Sequence, residues 1–246
     1  MVKQIPNLIT SLNLLCGCVA ALLAASGNLV PAAIFVFLGI FFDFFDGFAA
    51  RLLKAQSDVG LQLDSLADMV TSGLVPAIVM VQLLSLSISG EYYVISNVFA
   101  EGNWNTSNAS AIPLIGLLVA VASAYRLAKF NVDTRQTDSF IGLPTPANSL
   151  LILSLPLIVE FQSNESITEF IFNQWILIGL TLLSAILLNM ELPLFSLKFK
   201  TWDFKNNAKR YLFLLMSVVL LVFLKFLAIP VIIFFYIFMS LLPRNK

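Results

Sequence analysis

The chain has no histidine, only two cysteines and few charges, and each scarcity removes a class of function. Without histidine there is no Ser-His-Asp triad, no His-ligated zinc and no imidazole general base. Cys16 and Cys18 stand two apart in an apolar run, a spacing that turns helical side chains to different sides. They cannot hold zinc by themselves, and they read as small hydrophobes, the ordinary role of free cysteine. Only 11% of the 246 residues are charged, against about 25% in an average soluble domain. What replaces charge is apolar surface: 59% of the chain is hydrophobic and the mean hydropathy is +0.92. A water-soluble core cannot use that much, so a lipid bilayer is the expected partner. The net charge is zero, and no basic patch interleaved with aromatics points to nucleic acid.

A membrane-crossing helix needs roughly 20 predominantly apolar residues. Eight segments qualify, with soft edges: 8–26, 30–48, 64–87, 109–128, 146–161, 173–190, 211–226 and 229–242. The first is long for the core of a cleaved signal peptide and is followed by further spans, so it reads as a membrane helix. The last two form one apolar stretch that Pro230 interrupts, read as a tight hairpin split at that proline; a single kinked helix is the alternative. Positive charges test this layout, because Lys and Arg favour cytoplasmic loops. Lys3, Arg51, Lys54, Arg126, Lys129, Arg135, the Lys198–Arg210 group, Arg244 and Lys246 all fall on one side. The opposite loops, 88–108 and 162–172, carry none, and only Lys225 departs from the pattern. Both termini are therefore expected in the cytoplasm. Asn105, Asn108 and Asn164 head glycosylation sequons on the other side, which matter only in a eukaryotic host. No repeat, linker or low-complexity stretch divides the chain, so a single all-α membrane helix bundle is expected.

The chemistry concentrates in FFDFFDGFAARLLKAQSDVGLQLDSLADMVTSG, residues 41–73. Residues three or four apart share a helix face, so Asp43 and Asp46 point one way, and Asp64 and Asp68 do likewise. A short connection makes the second and third spans antiparallel neighbours, and the two pairs can then face each other at similar depth. Four carboxylates in one pocket repel unless cations neutralise them. With oxygen ligands alone, the fitting ions are Mg²⁺, Mn²⁺ or Ca²⁺. Two such ions would balance four carboxylates and suit displacement at phosphorus. Gly47, Ala50 and Gly60 leave room for a ligand near the backbone, and Arg51 offers a fork for phosphate or carboxylate. The competing reading is that acidic residues at helix ends are merely solvated or paired with Arg51 or Lys54. Ionisable groups within spans are costly and usually functional, which favours a cation site.

Asp43-x2-Asp46-Gly47-x2-Ala50-Arg51-x8-Gly60-x3-Asp64-x3-Asp68 resembles the signature of the CDP-alcohol phosphotransferase family at every fixed position. That resemblance implies transfer of a phosphoryl-linked group from a CDP-linked substrate to an alcohol, with release of CMP. It implies two metal ions held by Asp43, Asp46, Asp64 and Asp68, with Asp46 and Asp64 touching both. Asp68 would also be the general base on the acceptor hydroxyl. Gly47, Ala50, Arg51 and Gly60 would line the CDP pocket. The family core has six spans, so residues 1–190 would be the catalytic core and 211–242 two added spans. A homodimer is expected on the same ground.

The opening, Ile5-Pro-Asn-Leu-Ile-Thr-Ser-Leu-Asn-Leu-Leu-Cys-Gly, resembles the start of bacterial and archaeal phosphatidylserine synthases. So do Arg126-Leu-Ala-Lys-Phe-Asn and Gly142-Leu-Pro-Thr-Pro-Ala. On this resemblance Asn7 and Thr10 would reach the nucleotide, while Arg126, Lys129 and Asn131 would hold the lipid phosphate or the serine carboxylate. CDP-diacylglycerol and serine are then the expected substrates, at the cytoplasmic face of a prokaryotic plasma membrane. Lys129 stands where an arginine is usual, which weakens a bidentate contact. For Arg126 and Lys129 the alternative is charge anchoring alone, and for Gly142–Pro146 a rigid turn. One rival is the same chemistry on glycerol 3-phosphate or inositol phosphate. Another is a cation transporter, disfavoured because transport sites lie near the midplane on broken helices.

Overall fold

A computed structural model describes residues 4–95, 111–133, 139–195 and 203–241. All eight expected segments are helical within those limits. Helix α1 (Ile5–Ala25) starts with Pro6 in its first turn, where a missing N–H costs nothing. It ends at Gly27, which has a positive φ of 80°. There the Asn28 N–H donates to the Leu23 carbonyl at 2.9 Å, closing the C-terminal turn. A Cβ on Gly27 would also sit 2.9 Å from the Tyr92 ring, so both conformation and space demand glycine. The chain then reverses into α2 (Leu29–Leu52). The two helices meet through small side chains: Gly17, Ala20 and Ala24 on α1, and Ala32, Ala33, Val36 and Gly39 on α2 are buried. Such stripes let backbones approach where lipid offers no hydrophobic drive.

Helix α2 closes with Lys54 at φ 50°, a left-handed cap that is uncommon outside glycine. Ser57 then caps α3 (Asp58–Asp68) by accepting from the Gly60 N–H at 3.1 Å. Because of that cap the helix begins six residues before the expected start at 64, and Asp64 lies between one and two turns inside it while Asp68 is its last residue. A π-helical turn (Met69–Leu74) and α4 (Val75–Ser89) continue the same rod through Asp58–Ser89, which ends at Gly90 with φ 75°. Gln82 on α4 donates to the Ala25 carbonyl and accepts from the Tyr93 N–H at 2.7 Å, tying the far ends of α1 and α4 together.

A 3₁₀ turn (Ile112–Leu117) leads into α5 (Leu118–Val132). Helix α6 (Thr145–Gln162) is central: eight consecutive residues from Leu151 to Ile158 are buried, as expected of a helix surrounded by others. The short α7 (Glu165–Ile171) and α8 (Gln174–Asn189) meet at 56°, capped by the side chains of Asn164 and Asn173. The core joins these helices through Ala33, Val36, Met80, Leu84, Ile152 and Leu177. A two-stranded antiparallel ladder, β1 (Ser139–Ile141) with β2 (Pro193–Phe195), is the one non-helical pairing among the described residues and was not expected from the sequence.

The last apolar stretch is a hairpin of α9 (Phe204–Leu224) and α10 (Ala228–Leu241). Phe213 stacks on Phe235 at 6.1 Å and meets Tyr236 at 5.5 Å, contacts possible only if the chain folds back. The reversal lies at Lys225–Leu227, not at Pro230, which sits inside the first turn of α10 where its ring is tolerated. Gln162 fixes the turn, accepting from the Phe226 N–H at 2.6 Å and donating to the Leu224 carbonyl at 3.0 Å. The Tyr236 hydroxyl donates to the Phe195 carbonyl at 2.8 Å, docking α10 on β2.

Five helical stretches are long and apolar enough to cross a bilayer, and the bent α7–α8 pair makes a sixth. Many large apolar residues, from Leu8 and Leu22 on α1 to Val222 and Phe223 on α9, are exposed on the outside of this bundle. The chain is a polytopic all-α membrane protein. Lys3, the sequons at Asn105 and Asn108, Arg135, Lys198, Lys200, Arg244 and Lys246 lie outside the described residues.

Candidate functional site

Helices α1, α2 and α3 converge where α2 ends and α3 begins. One carboxylate oxygen from each of Asp43, Asp46 and Asp64 lies within 4.8 Å of the others. Asp43 and Asp46 reach this point because one turn of α2 separates them; Asp64 comes from α3, returned antiparallel by the Lys54 turn. Asp46 is 5% exposed, its Oδ2 receives no hydrogen bond from the protein, and the Thr10 hydroxyl lies beside the carboxylate. Among the described residues no Lys or Arg pairs with these three groups. Three uncompensated carboxylates of hard oxygen donors fit a divalent cation such as Mg²⁺ or Mn²⁺.

Asp68 lies one turn deeper, outside that cluster of three. It lies beside the Asn13 carboxamide of α1 and within electrostatic reach of the Arg126 guanidinium of α5. The array is therefore three carboxylates at the mouth and one further in.

An open cavity of about 780 Å³ lies against the three carboxylates. Asn7, Thr10, Gly47, Ala50, Arg51 and Gly60 all line it, together with Asp43, Asp46 and Asp64. Arg51 is exposed and held by its own helix, its Nε donating to the Gly47 carbonyl at 3.0 Å. A Cβ on Gly47 would meet no protein atom within 4 Å, so no protein packing requires glycine there. A Cβ on Gly60 would come within 3.0 Å of Asn7 Oδ1 and 3.1 Å of Ser57 Oγ. Phe44 also lines the cavity, and Phe41, Phe45 and Phe48 beside it are exposed.

The three residues expected at the acceptor or lipid phosphate separate. Arg126 is 8% exposed; its Nη1 donates to Thr145 Oγ1 at 2.8 Å, its Nε has no partner, and it lies 5.9 Å over the Phe130 ring. Lys129 instead pairs with Glu191 at 3.2 Å on the surface. Asn131 exchanges hydrogen bonds with Ser65 at 2.9 and 3.2 Å, fastening α5 to α3.

Sequence reasoning missed a set of buried polar residues further in. Asn13, Ser72, Ser123, Asn148 and Ser149 are wholly buried, and their side chains include atoms with no hydrogen-bond partner in the protein. Each such atom left without a partner costs about 1–3 kcal/mol. Their signal in the sequence is faint, single polar residues inside apolar runs. Thr71 was also missed: its hydroxyl donates to the Asn13 carbonyl at 3.2 Å, and a Cβ on Gly17 would stand 2.3 Å from that hydroxyl and one on Gly39 2.7 Å from its methyl.

A membrane bundle that presents clustered carboxylates beside an open cavity of about 780 Å³ has the form of a group transferase. The CDP-alcohol phosphatidyltransferase family profile matches residues 3–187, and the chain belongs to that family. It is similar to the CDP-diacylglycerol–serine O-phosphatidyltransferase of Bacillus subtilis, 36% identical over 62% of this chain and 75% of that one. The proteins of the same name from Helicobacter pylori and Methanocaldococcus jannaschii are 30% and 31% identical, each over 74% of this chain and 70% and 72% of theirs. The chain is thus a membrane transferase of phospholipid biosynthesis.

Proposed function

We propose that this chain transfers a phosphatidyl group from CDP-diacylglycerol to the hydroxyl of L-serine, giving phosphatidylserine and CMP. One observation carries the reading: three carboxylates and six residues of the signature and N-terminal segment converge on a single open cavity. The names of the relatives support serine as acceptor. Asp43, Asp46 and Asp64 would hold divalent cations, with Asp68 completing the set of four; bound there, two ions supply charge that polarises the diphosphate. Asn7, Thr10, Gly47, Ala50, Arg51 and Gly60 would seat the CDP group. Asp68, on the inner side, takes the proton of the serine hydroxyl. The new bond joins that oxygen to the phosphatidyl phosphorus, and the bond from phosphorus to the CMP oxygen breaks. Held in line, acceptor and phosphorus react as neighbours instead of meeting by diffusion. The acyl chains would lie along the exposed phenylalanines of α2, in the bilayer.

The bias of positive charges supports a cytoplasmic position for this end of the bundle, and the bacterial and archaeal sources of the relatives support a prokaryotic membrane. Residues 1–190 form the catalytic core, 211–242 an addition to it, and the working unit is a homodimer. Purified protein given CDP-diacylglycerol, labelled serine and Mg²⁺ or Mn²⁺ tests the reading. Metal-dependent CMP release with labelled phosphatidylserine is expected. Release of CMP with glycerol 3-phosphate but not serine would overturn the acceptor. No nucleotide release with any alcohol, from folded protein, would overturn the reaction.

A further inference from the structure

The family match ends at residue 187, and the chain that follows it returns to the active end of the bundle. There β2 pairs with β1, Phe140 opposite Leu194. Just past β1, the Gly142 N–H donates to the Leu192 carbonyl at 3.0 Å and the Leu143 N–H to the Leu187 carbonyl at 2.8 Å. Gly142 has a φ of 76°, and a Cβ on it would stand 2.6 Å from the Leu188 carbonyl oxygen, so this crossing has no slack. Two residues beyond Leu143, Thr145 accepts from Arg126 Nη1 at 2.8 Å. Ile141 of β1 also lines, with Arg126 and Asn189, a cavity of only about 10 Å³, no larger than about one water molecule. The ladder therefore fixes both the partner and the wall of the arginine that lies within electrostatic reach of Asp68.

The C-terminal hairpin in turn fixes the ladder. The Tyr236 hydroxyl donates to the Phe195 carbonyl at 2.8 Å, and the two rings meet at 4.9 Å. Ile233 of α10 joins Leu143, Leu187 and Leu194 in a hydrophobic cluster separate from the main core. At the other end Gln162 holds the hairpin turn. A two-stranded ladder is marginally stable by itself, so its position depends on what it docks against.

We infer that the hairpin is a brace for the reaction, with Tyr236 a positioning residue that acts through the β1–β2 ladder on Thr145 and, through it, on Arg126. The inference rests on the phosphatidyl-transfer reading above. Tyr236 touches no reacting group. Losing its hydroxyl frees segment 141–145, and misplacing a substrate-positioning group by about 1 Å can cost on the order of 10²-fold in rate.

Tyr236→Phe, Thr145→Val and the double variant are compared with wild type in the whole chain, beside Gln162→Leu, which loosens the same hairpin at its other end. Two quantities are measured, kcat/KM for serine and amide hydrogen exchange over residues 140–143. Tyr236→Phe should lower kcat/KM about fivefold and speed exchange about fivefold, the loss of one hydrogen bond. Thr145→Val should lower kcat/KM about tenfold, Thr145→Ser should restore it, and Tyr236→Phe should add less than about twofold to Thr145→Val. Gln162→Leu should lower Tm by several degrees and leave both quantities within about twofold. A merely structural hairpin would make Tyr236→Phe and Gln162→Leu alike, or make the Tyr236 and Thr145 effects multiply in the double variant, and either result overturns the brace. So does a kcat/KM for Tyr236→Phe within about twofold of wild type. If Thr145→Val does not fold, the comparison of Tyr236→Phe with Gln162→Leu decides alone. Wild-type turnover judges the reaction separately: if another alcohol is used, the variants are assayed with it, and if no CMP is released, the exchange measurement decides the brace.

Discussion

The two sides of the aspartate array are built on opposite plans. On the outer side, Asp43, Asp46 and Asp64 border an open cavity, and the residues there are small or exposed: Gly47, Ala50, Arg51. On the inner side Asp68 lies beside the Asn13 carboxamide and within electrostatic reach of Arg126, both buried. The difference follows from what each side would receive. A nucleotide tethered to a lipid must slide in sideways and needs an unobstructed mouth. A small acceptor must be held without water, since water is also a hydroxyl nucleophile and would hydrolyse the donor. Perturbing the first side should change donor affinity, and perturbing the second should change acceptor affinity. Perturbing the carboxylates between them should abolish turnover.

The largest effect is expected at the carboxylates. Asp46→Asn removes charge at the most buried of the three and should lower kcat on the order of 10³-fold, as should chelation of divalent cations. Stability should hold or rise, because the variant relieves repulsion among unpaired carboxylates. Isotopically labelled CMP release and a melting curve check both halves. Retained turnover in the variant would detach the cluster from the chemistry.

Two glycines sharpen the contrast at the next level. Gly47→Ala meets nothing in the protein and gains helix propensity of up to about 1 kcal/mol, so Tm should not fall. Its added methyl points into the room expected for the nucleotide, and the CDP-diacylglycerol KM should rise about tenfold. Gly39→Ala has the reverse profile. Its Cβ would stand 2.7 Å from Thr71 Cγ2 and 2.8 Å from Asn13 Oδ1, an overpacked site that should cost about 1–3 kcal/mol of stability. Equal losses of stability in the two variants would erase the distinction between a ligand-facing and a packing glycine. Arg51→Lys comes below these. Its charge stays but the planar fork is lost, so the donor KM should rise several-fold while the serine KM stays put.

How much of this was legible in the sequence depends on period and charge. The helices were legible because apolar runs of bilayer length have few alternatives, and the cluster of Asp43, Asp46 and Asp64 because helical spacing brings three of the four aspartates together, while Asp68 stands outside it. Helix limits were less so. Asp64 was expected near a helix start, but the Ser57 cap draws the helix back to Asp58, a local hydrogen bond that hydropathy does not register. The reversal between the last helices was assigned to Pro230, yet Lys225 takes the unusual backbone angles, because Gln162 of α6 holds the turn there. The β1–β2 pair joins segments some fifty residues apart and leaves no periodic trace. The buried polar row was invisible for a similar reason. Asn13, Ser123 and Asn148 are single letters in apolar runs, and only the packing of four elements brings them together.

Arg126 and Lys129, one turn apart on α5, were expected to act alike, and the smallest prediction separates them. Arg126 is buried, donates to Thr145 and has an unpartnered Nε. Lys129 has a side chain 31% exposed, and its Glu191 partner is 64% exposed. Exposed pairs of this kind contribute about 0–1 kcal/mol, since water screens them and two long side chains must be ordered. Lys129→Ala should therefore shift Tm by no more than a few degrees and leave both KM values within twofold, most nearly neutral at high salt. Arg126→Lys, which keeps the charge but loses the fork, should raise the serine KM at least tenfold while sparing the donor KM. If Lys129→Ala instead raised the serine KM as far as Arg126→Lys does, the acceptor would extend to the surface of α5. The buried inner side would then be open as well, and the two plans would become one.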